Sequence, residues 1–212
     1  MVIKNILRNV WSWLRDRKEI LIRVWCGYLI ISLMMNLSHE WQACLEIYSY
    51  ILQDKAIYLV PNFFMCFLVL AIAMWLSRIH RVFQWSWLGN NLGLLPIQKE
   101  YIGPLFLLLL ILNMPSITHM EERIFRSGLE NWYDGLVWSV IFGLSHCLVG
   151  VPLAYGIASI ALGVWLTWCY LTPGPRFAIF FSTLNHTSYN LVACMMMVIF
   201  MIYSRFKKED AK

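Results

Sequence analysis

The chain has 212 residues, 60% of them hydrophobic and 14% charged, with a formal net charge of +5 and a mean hydropathy of +0.61. The length suits one domain, and apolar runs of about 18 residues or more, the length that spans a bilayer, recur along it and exclude an ordinary soluble domain. The positive charge gathers beside the first and last apolar runs, which argues for membrane topology and against a nucleic-acid partner.

In chain order, residues 1–19 place Ile3, Leu7, Val10 and Leu14 on one helical face, with Arg8, Arg15 and Lys18 elsewhere and Trp11 and Trp13 as interface-seeking aromatics. This predicts an N-terminal amphipathic helix lying on the cytoplasmic surface. A plain basic lead-in to the first span is the alternative. Six spans follow, at 20–37, 56–77, 101–130, 136–149, 151–171 and 177–204. The loop from Ser38 to Lys55 is acidic and should face outward. The loop from Arg78 to Lys99 is basic and should face the cytoplasm, together with the tail at 205–212 and its Arg205, Lys207, Lys208 and Lys212. Six spans put both termini inside, as those flanks require. The expected fold class is therefore all-α, a polytopic transmembrane helical bundle. No removable leader and no C-terminal prenylation signal are read.

The six cysteines form no CxxC pair, and five of them fall in apolar runs. They read as small hydrophobes, not as a disulfide framework or a zinc ribbon.

The third span is unusual. It passes Pro115 and then enters EERIFRSG, residues 121–128, with two carboxylates and two guanidinium groups. The spacing predicts a helix that continues to a turn at Asn131–Gly135. At ~1.5 Å of rise per residue, Glu121 and His146 then lie roughly 15–20 Å from that turn on antiparallel spans, and His186 roughly 15 Å beyond the turn at Thr172–Pro175. Three ionisable residues from three spans converge near the middle of the hydrocarbon layer, where such groups face a bundle interior or a water-filled cavity. Glu122 and Arg126 are i,i+4 with the acid first, a favourable pair. Glu121 points about 100° away around the helix and stays free for chemistry. His186 and Asn190 share a face, as do Phe142 and His146.

Taken together, Glu121-Glu122-Arg123-Ile124-Phe125-Arg126 reads EExxxR, Phe142 to His146 reads FxxxH, and His186 to Asn190 reads HxxxN. These ordered motifs on successive spans resemble the CPBP family: type II CAAX prenyl endopeptidases, Abi proteins and bacteriocin-processing relatives. The resemblance covers 101–204, leaving 20–100 as two spans and a cytoplasmic loop. It implies an intramembrane glutamic endopeptidase of a bacterial inner membrane, acting on a membrane-associated or lipidated substrate and needing no cofactor. By motif position, Glu121 would activate water with help from His146. His186 and Asn190 would bind the oxyanion, Glu122 and Arg126 would hold the site together, and Phe142 would pack beside it. Peptide hydrolysis asks for a base within reach of water and for donors aimed where negative charge develops. One departure is Ser127, which separates Arg126 from Gly128 where the family commonly reads FRG.

Two rival readings remain beside a third, a transporter driven by a proton relay through Glu121, against which stands the lack of paired broken helices. A zinc enzyme could use Glu121, His146 and His186, whereas His39-Glu40-Trp41-Gln42-Ala43 lacks the second histidine of a zincin motif. A non-catalytic membrane scaffold or bacteriocin-immunity protein could keep the same motifs for structure. Ser145, Ser182 and Ser188 have no Ser–Lys or Ser–His–Asp arrangement. His119 sits at the cavity or its rim, Asp134 in a solvated turn, and Trp165 and Trp168 read as packing or interface residues.

Overall fold

The computed structural model of the chain describes residues 59–85, 102–149, 151–174 and 176–209, with isolated helical positions at 31, 46, 47 and 49. Five α-helices make up most of them: α1 (Leu59–Ile79), α2 (Ile102–Arg126), α3 (Trp132–Ser145), α4 (Leu153–Leu171) and α5 (Ala178–Glu209), with short 3-10 turns at Arg81–Gln84 and His146–Val149. No strand occurs among the described residues, so the all-α class holds. The first expected span, the amphipathic segment at 1–19 and the His39–Ala43 string lie outside the described residues. Among the described residues, two helices, Val60–Ile79 and Leu153–Leu171, are long and apolar enough to cross a membrane. At 14 residues α3 is too short for that by itself, and a polar stretch, NHTSYN, interrupts α5.

The exit from α2 differs from expectation. The helix stops at Arg126 instead of running on to 130, because Gly128 adopts φ +84° and ends it. A residue in the left-handed region just past the last turn is a common helix stop, and glycine takes it without a Cβ penalty. Ser127 thus occupies the junction between the last helical residue and that glycine. The next helix also begins earlier than expected, since Asn131 caps it. Asn131 Oδ1 accepts from the Asp134 N–H at 3.0 Å, and Asn131 Nδ2 donates to Asp134 Oδ2 at 2.7 Å. Asp134 therefore belongs to the first turn of α3, exposed, where a negative charge suits the helix dipole.

At the centre of the bundle lies α5, with every residue from Ser182 to Tyr189 buried. It packs on α1, α2 and α4, while α3 packs chiefly on α4. The α3–α4 seam is built on small residues. A Cβ on Gly163 would come within 2.9 Å of the Ser139 backbone, and one on Gly143 within 2.7 Å of the Gly156 carbonyl. Backbones this close are the packing mode of helices that associate without a water-driven hydrophobic force. Connections alternate between the two ends. The Gly128 N–H donates to the Tyr170 hydroxyl at 3.2 Å, joining the α2–α3 and α4–α5 ends, whereas the Leu153 N–H donates to the Trp85 carbonyl at 3.0 Å at the other end.

Burial is inverted relative to a water-soluble bundle. Asn62, Glu122, Arg126, Ser139, Thr167, Asn185 and His186 are buried, whereas Phe63, Phe64, Phe67, Trp75, Val137, Val140 and Ile141 are exposed. An apolar outer surface of this extent calls for a partner or a lipid environment.

Candidate active site

The Glu-Glu pair lies in the last two turns of α2, and consecutive helical positions send its two carboxylates to different places. Glu122 is fully buried and Glu121 is 28% exposed. Glu122 Oε1 accepts two hydrogen bonds, from Arg126 Nη1 at 2.8 Å and from His186 Nδ1 at 2.7 Å. The first is the i,i+4 pair that the spacing leads one to expect; the second crosses to α5. Arg126 also donates through Nη2 to the Gly163 carbonyl on α4 at 3.3 Å, and its guanidinium carbon sits 4.7 Å from the centre of the Phe142 ring. One arginine thus fastens α2 to α3 and α4, and the glutamate it pairs with carries the link to α5. A buried charge pair is tolerable only when its remaining polar atoms find partners. Here Glu122 Oε2 and Arg126 Nε have none. The Ser182 hydroxyl lies beside that carboxylate but donates instead to the Ile179 carbonyl at 3.2 Å.

Phe142, wholly buried, is the aromatic hub. It meets Phe125, His146 and His186 edge-on at centroid distances of 5.3, 4.8 and 5.5 Å. These contacts bring the two imidazoles of separate helices to one ring. His146, which opens the 3-10 turn after α3, places Nδ1 2.8 Å from the Phe142 carbonyl. A carbonyl only accepts, so Nδ1 is the donor, and in the neutral ring Nε2 keeps its lone pair. Glu121, His186 and Arg126 are all near enough to His146 to act on it electrostatically. His186 uses Nδ1 on Glu122, which leaves Nε2 facing Glu121 Oε2 at 3.5 Å. That separation is too long for a good hydrogen bond.

Six of the seven expected site residues therefore meet: Glu121, Glu122, Arg126, Phe142, His146 and His186. The seventh, Asn190, lies one turn along α5 from His186, half-buried, and its side chain makes no hydrogen bond among the described residues. As arranged, Glu121, His146 and His186 do not form a metal-holding group. Among the described residues, no set of three or more His, Cys, Asp or Glu side chains could hold a metal ion.

Several polar contacts behind the site escape sequence reasoning. Asn62 Nδ2 on α1 donates to Asn185 Oδ1 at 3.1 Å, and Trp165 Nε1 on α4 donates to Asn62 Oδ1 at 3.2 Å. Trp165, read from sequence as a packing or interface residue, thus anchors a three-helix polar network next to His186. Thr118 and Thr187 pair their hydroxyls at 2.7 Å across the α2–α5 contact. The Thr183 hydroxyl lies 3.4 Å from His119 Nδ1, so His119 belongs to that same contact. The available signal was Asn62, a polar residue in an apolar span, since such residues turn inward. No protein-family model, no curated protein and no solved structure matches the chain.

Proposed function

We propose that the protein is an intramembrane endopeptidase of the CPBP type, a six-span bundle that hydrolyses peptide bonds of a membrane-associated or lipidated substrate. The observation that carries this reading is the division of labour between neighbouring acids. Glu122 is buried and locked by Arg126 and His186, while Glu121 is accessible and faces the free nitrogen of the same His186. A structural motif needs only the first acid; the second is left open for chemistry. The inverted burial supports the lipid setting.

In this mechanism Glu121 takes a proton from a water molecule, with the Nε2 lone pair of His146 as a second acceptor. The hydroxide adds to the substrate carbonyl carbon. The resulting oxyanion receives donors from His186 Nε2 and the Asn190 amide. Donation from both nitrogens of the His186 ring, Nδ1 to Glu122 and Nε2 to the oxyanion, requires the ring to hold both protons in this step. Collapse breaks the carbon–nitrogen bond, and the proton held at Glu121 or His146 passes to the leaving amine.

The test compares new protein N-termini in membranes of cells making the wild type or Glu121→Gln at matched levels. Termini present with the wild type and lost with the variant are expected. The scaffold or immunity reading draws support from the same buried lock, because holding helices together is what a structural motif must do. It wins if the two profiles are identical and the variant still performs the biological role.

A further inference from the structure

Glu122 uses its two oxygens unequally. Oε1 accepts from Arg126 Nη1 at 2.8 Å and from His186 Nδ1 at 2.7 Å, whereas Oε2, also buried, has no partner. A buried carboxylate oxygen without a donor is costly, and native interiors rarely leave one so. Ser182 lies four residues before His186 on α5, so the two side chains share the face that meets Glu122. It is wholly buried, and its hydroxyl lies beside the carboxylate.

That hydroxyl is poorly engaged where it stands. Its bond to the Ile179 carbonyl is 3.2 Å long, against 2.7–2.9 Å for the serine-to-carbonyl bonds of Ser139, Ser145, Ser159 and Ser188. The Ile179 carbonyl is also served by the helix itself, through the Thr183 N–H. A hydroxyl hydrogen turns to suit its acceptor, and a bond to a carboxylate is roughly twice as strong as one to a neutral carbonyl. Cys169 on α4 also feels the Glu122 charge, but a thiol donates weakly.

We infer that Ser182 is a positioning residue for the site: its hydroxyl turns from the Ile179 carbonyl to Glu122 Oε2 and fixes the carboxylate that holds His186. The inference rests on the proteolytic reading above and adds a residue that none of the three motifs contains. The last torsion of a glutamate is soft, so a carboxylate held at one oxygen swings and takes the imidazole with it. Held at both oxygens, it keeps His186 Nδ1 engaged and Nε2 on the Glu121 side, where it serves the oxyanion.

The experiment compares full-length wild type and Ser182→Ala in their own membranes, at equal amounts of folded protein, by the rate at which Glu121-dependent termini form. Removing the hydroxyl should slow them about tenfold. A second readout uses purified Ser182→Cys, whose added S–H stretching band, taken as the infrared difference from wild type, reports the acceptor that the side chain faces. That band should rise in frequency when Glu122→Gln takes the charge from the acceptor. The readouts are independent, so a Glu122→Gln protein that fails to fold leaves the rate comparison to decide. Ser182→Ala as fast as the wild type, or a band that Glu122→Gln leaves unmoved, overturns the positioning role and leaves the protease standing. If the wild type yields no Glu121-dependent terminus, the proteolytic reading fails and the positioning role fails with it.

Discussion

Arg126 holds more of the site than either glutamate, since it pairs with Glu122, reaches the Gly163 carbonyl and covers Phe142. Replacing it with methionine strands the Glu122 carboxylate in the interior, a change that costs ~3–5 kcal/mol when a buried partner is lost. Thermal unfolding of the purified protein in detergent should show that loss. The double variant Glu122→Gln with Arg126→Met should recover much of it, because neither partner of the buried pair is then charged. Recovery would mark the pair as structural. Glu121→Gln, by contrast, alters a partly exposed group with no hydrogen bond among the described residues, so its stability should stay within about 0.5 kcal/mol of the wild type. A large destabilisation by Glu121→Gln would show that this acid, too, serves architecture.

Two interfaces govern how the helices hold the site, and they use different physics. The α3–α4 seam depends on the absence of side chains at Gly143 and Gly163. Gly163→Leu forces those backbones apart, and overpacking of this kind costs ~1–3 kcal/mol. Because Gly163 also offers its carbonyl to Arg126, the variant should lose Glu121-dependent termini in greater proportion than it loses folded protein. The α1–α4–α5 interface depends instead on the Asn62–Asn185–Trp165 hydrogen bonds. Asn62→Leu leaves the Trp165 N–H and the Asn185 carbonyl oxygen without these partners, at ~1–3 kcal/mol. The difference in tryptophan emission between this variant and the same variant carrying Trp165→Phe, read alongside the unfolding temperature, should report that change. An unaltered spectrum and unfolding temperature would mean that the Asn62 hydrogen bonds do not hold α1.

For the whole molecule, the alternating connections divide its ends into two sets. Ser127 and Thr172 lie in the connections joined by the Gly128–Tyr170 bond, while Gln84 lies by the Trp85–Leu153 bond at the opposite end. In a six-span protein with both termini inside, the first set faces outward and the second the cytoplasm. A membrane-impermeant maleimide added to intact cells should label Ser127→Cys and Thr172→Cys and spare Gln84→Cys, in a background without the six native cysteines. Labelling of all three from one side is incompatible with a membrane-spanning bundle. The inverted burial points the same way, because detergent or lipid must cover the outer faces of α1 and α3 before the polar interior can persist.

What was legible in the sequence is what depends on neighbours along the chain. Apolar run lengths located five helices, among them Leu153–Leu171 where 151–171 was expected, and i,i+4 spacing anticipated the Glu122–Arg126 pair. Even locally, the exit of α2 departs from its sequence pattern, since a left-handed glycine two residues past Arg126 outweighs the helical pattern of the residues around it. Only the tertiary structure decided which acid His186 would bind, that Phe142 would join three helices, and that Asn62 would meet Asn185 and Trp165. Those contacts link residues 64, 123 and 103 positions apart. Periodicity along one helix states which face a side chain occupies, but the partner on another helix is set by how the backbones pack, and along the α3–α4 seam that packing follows from glycines whose lack of a side chain leaves no periodic apolar signal.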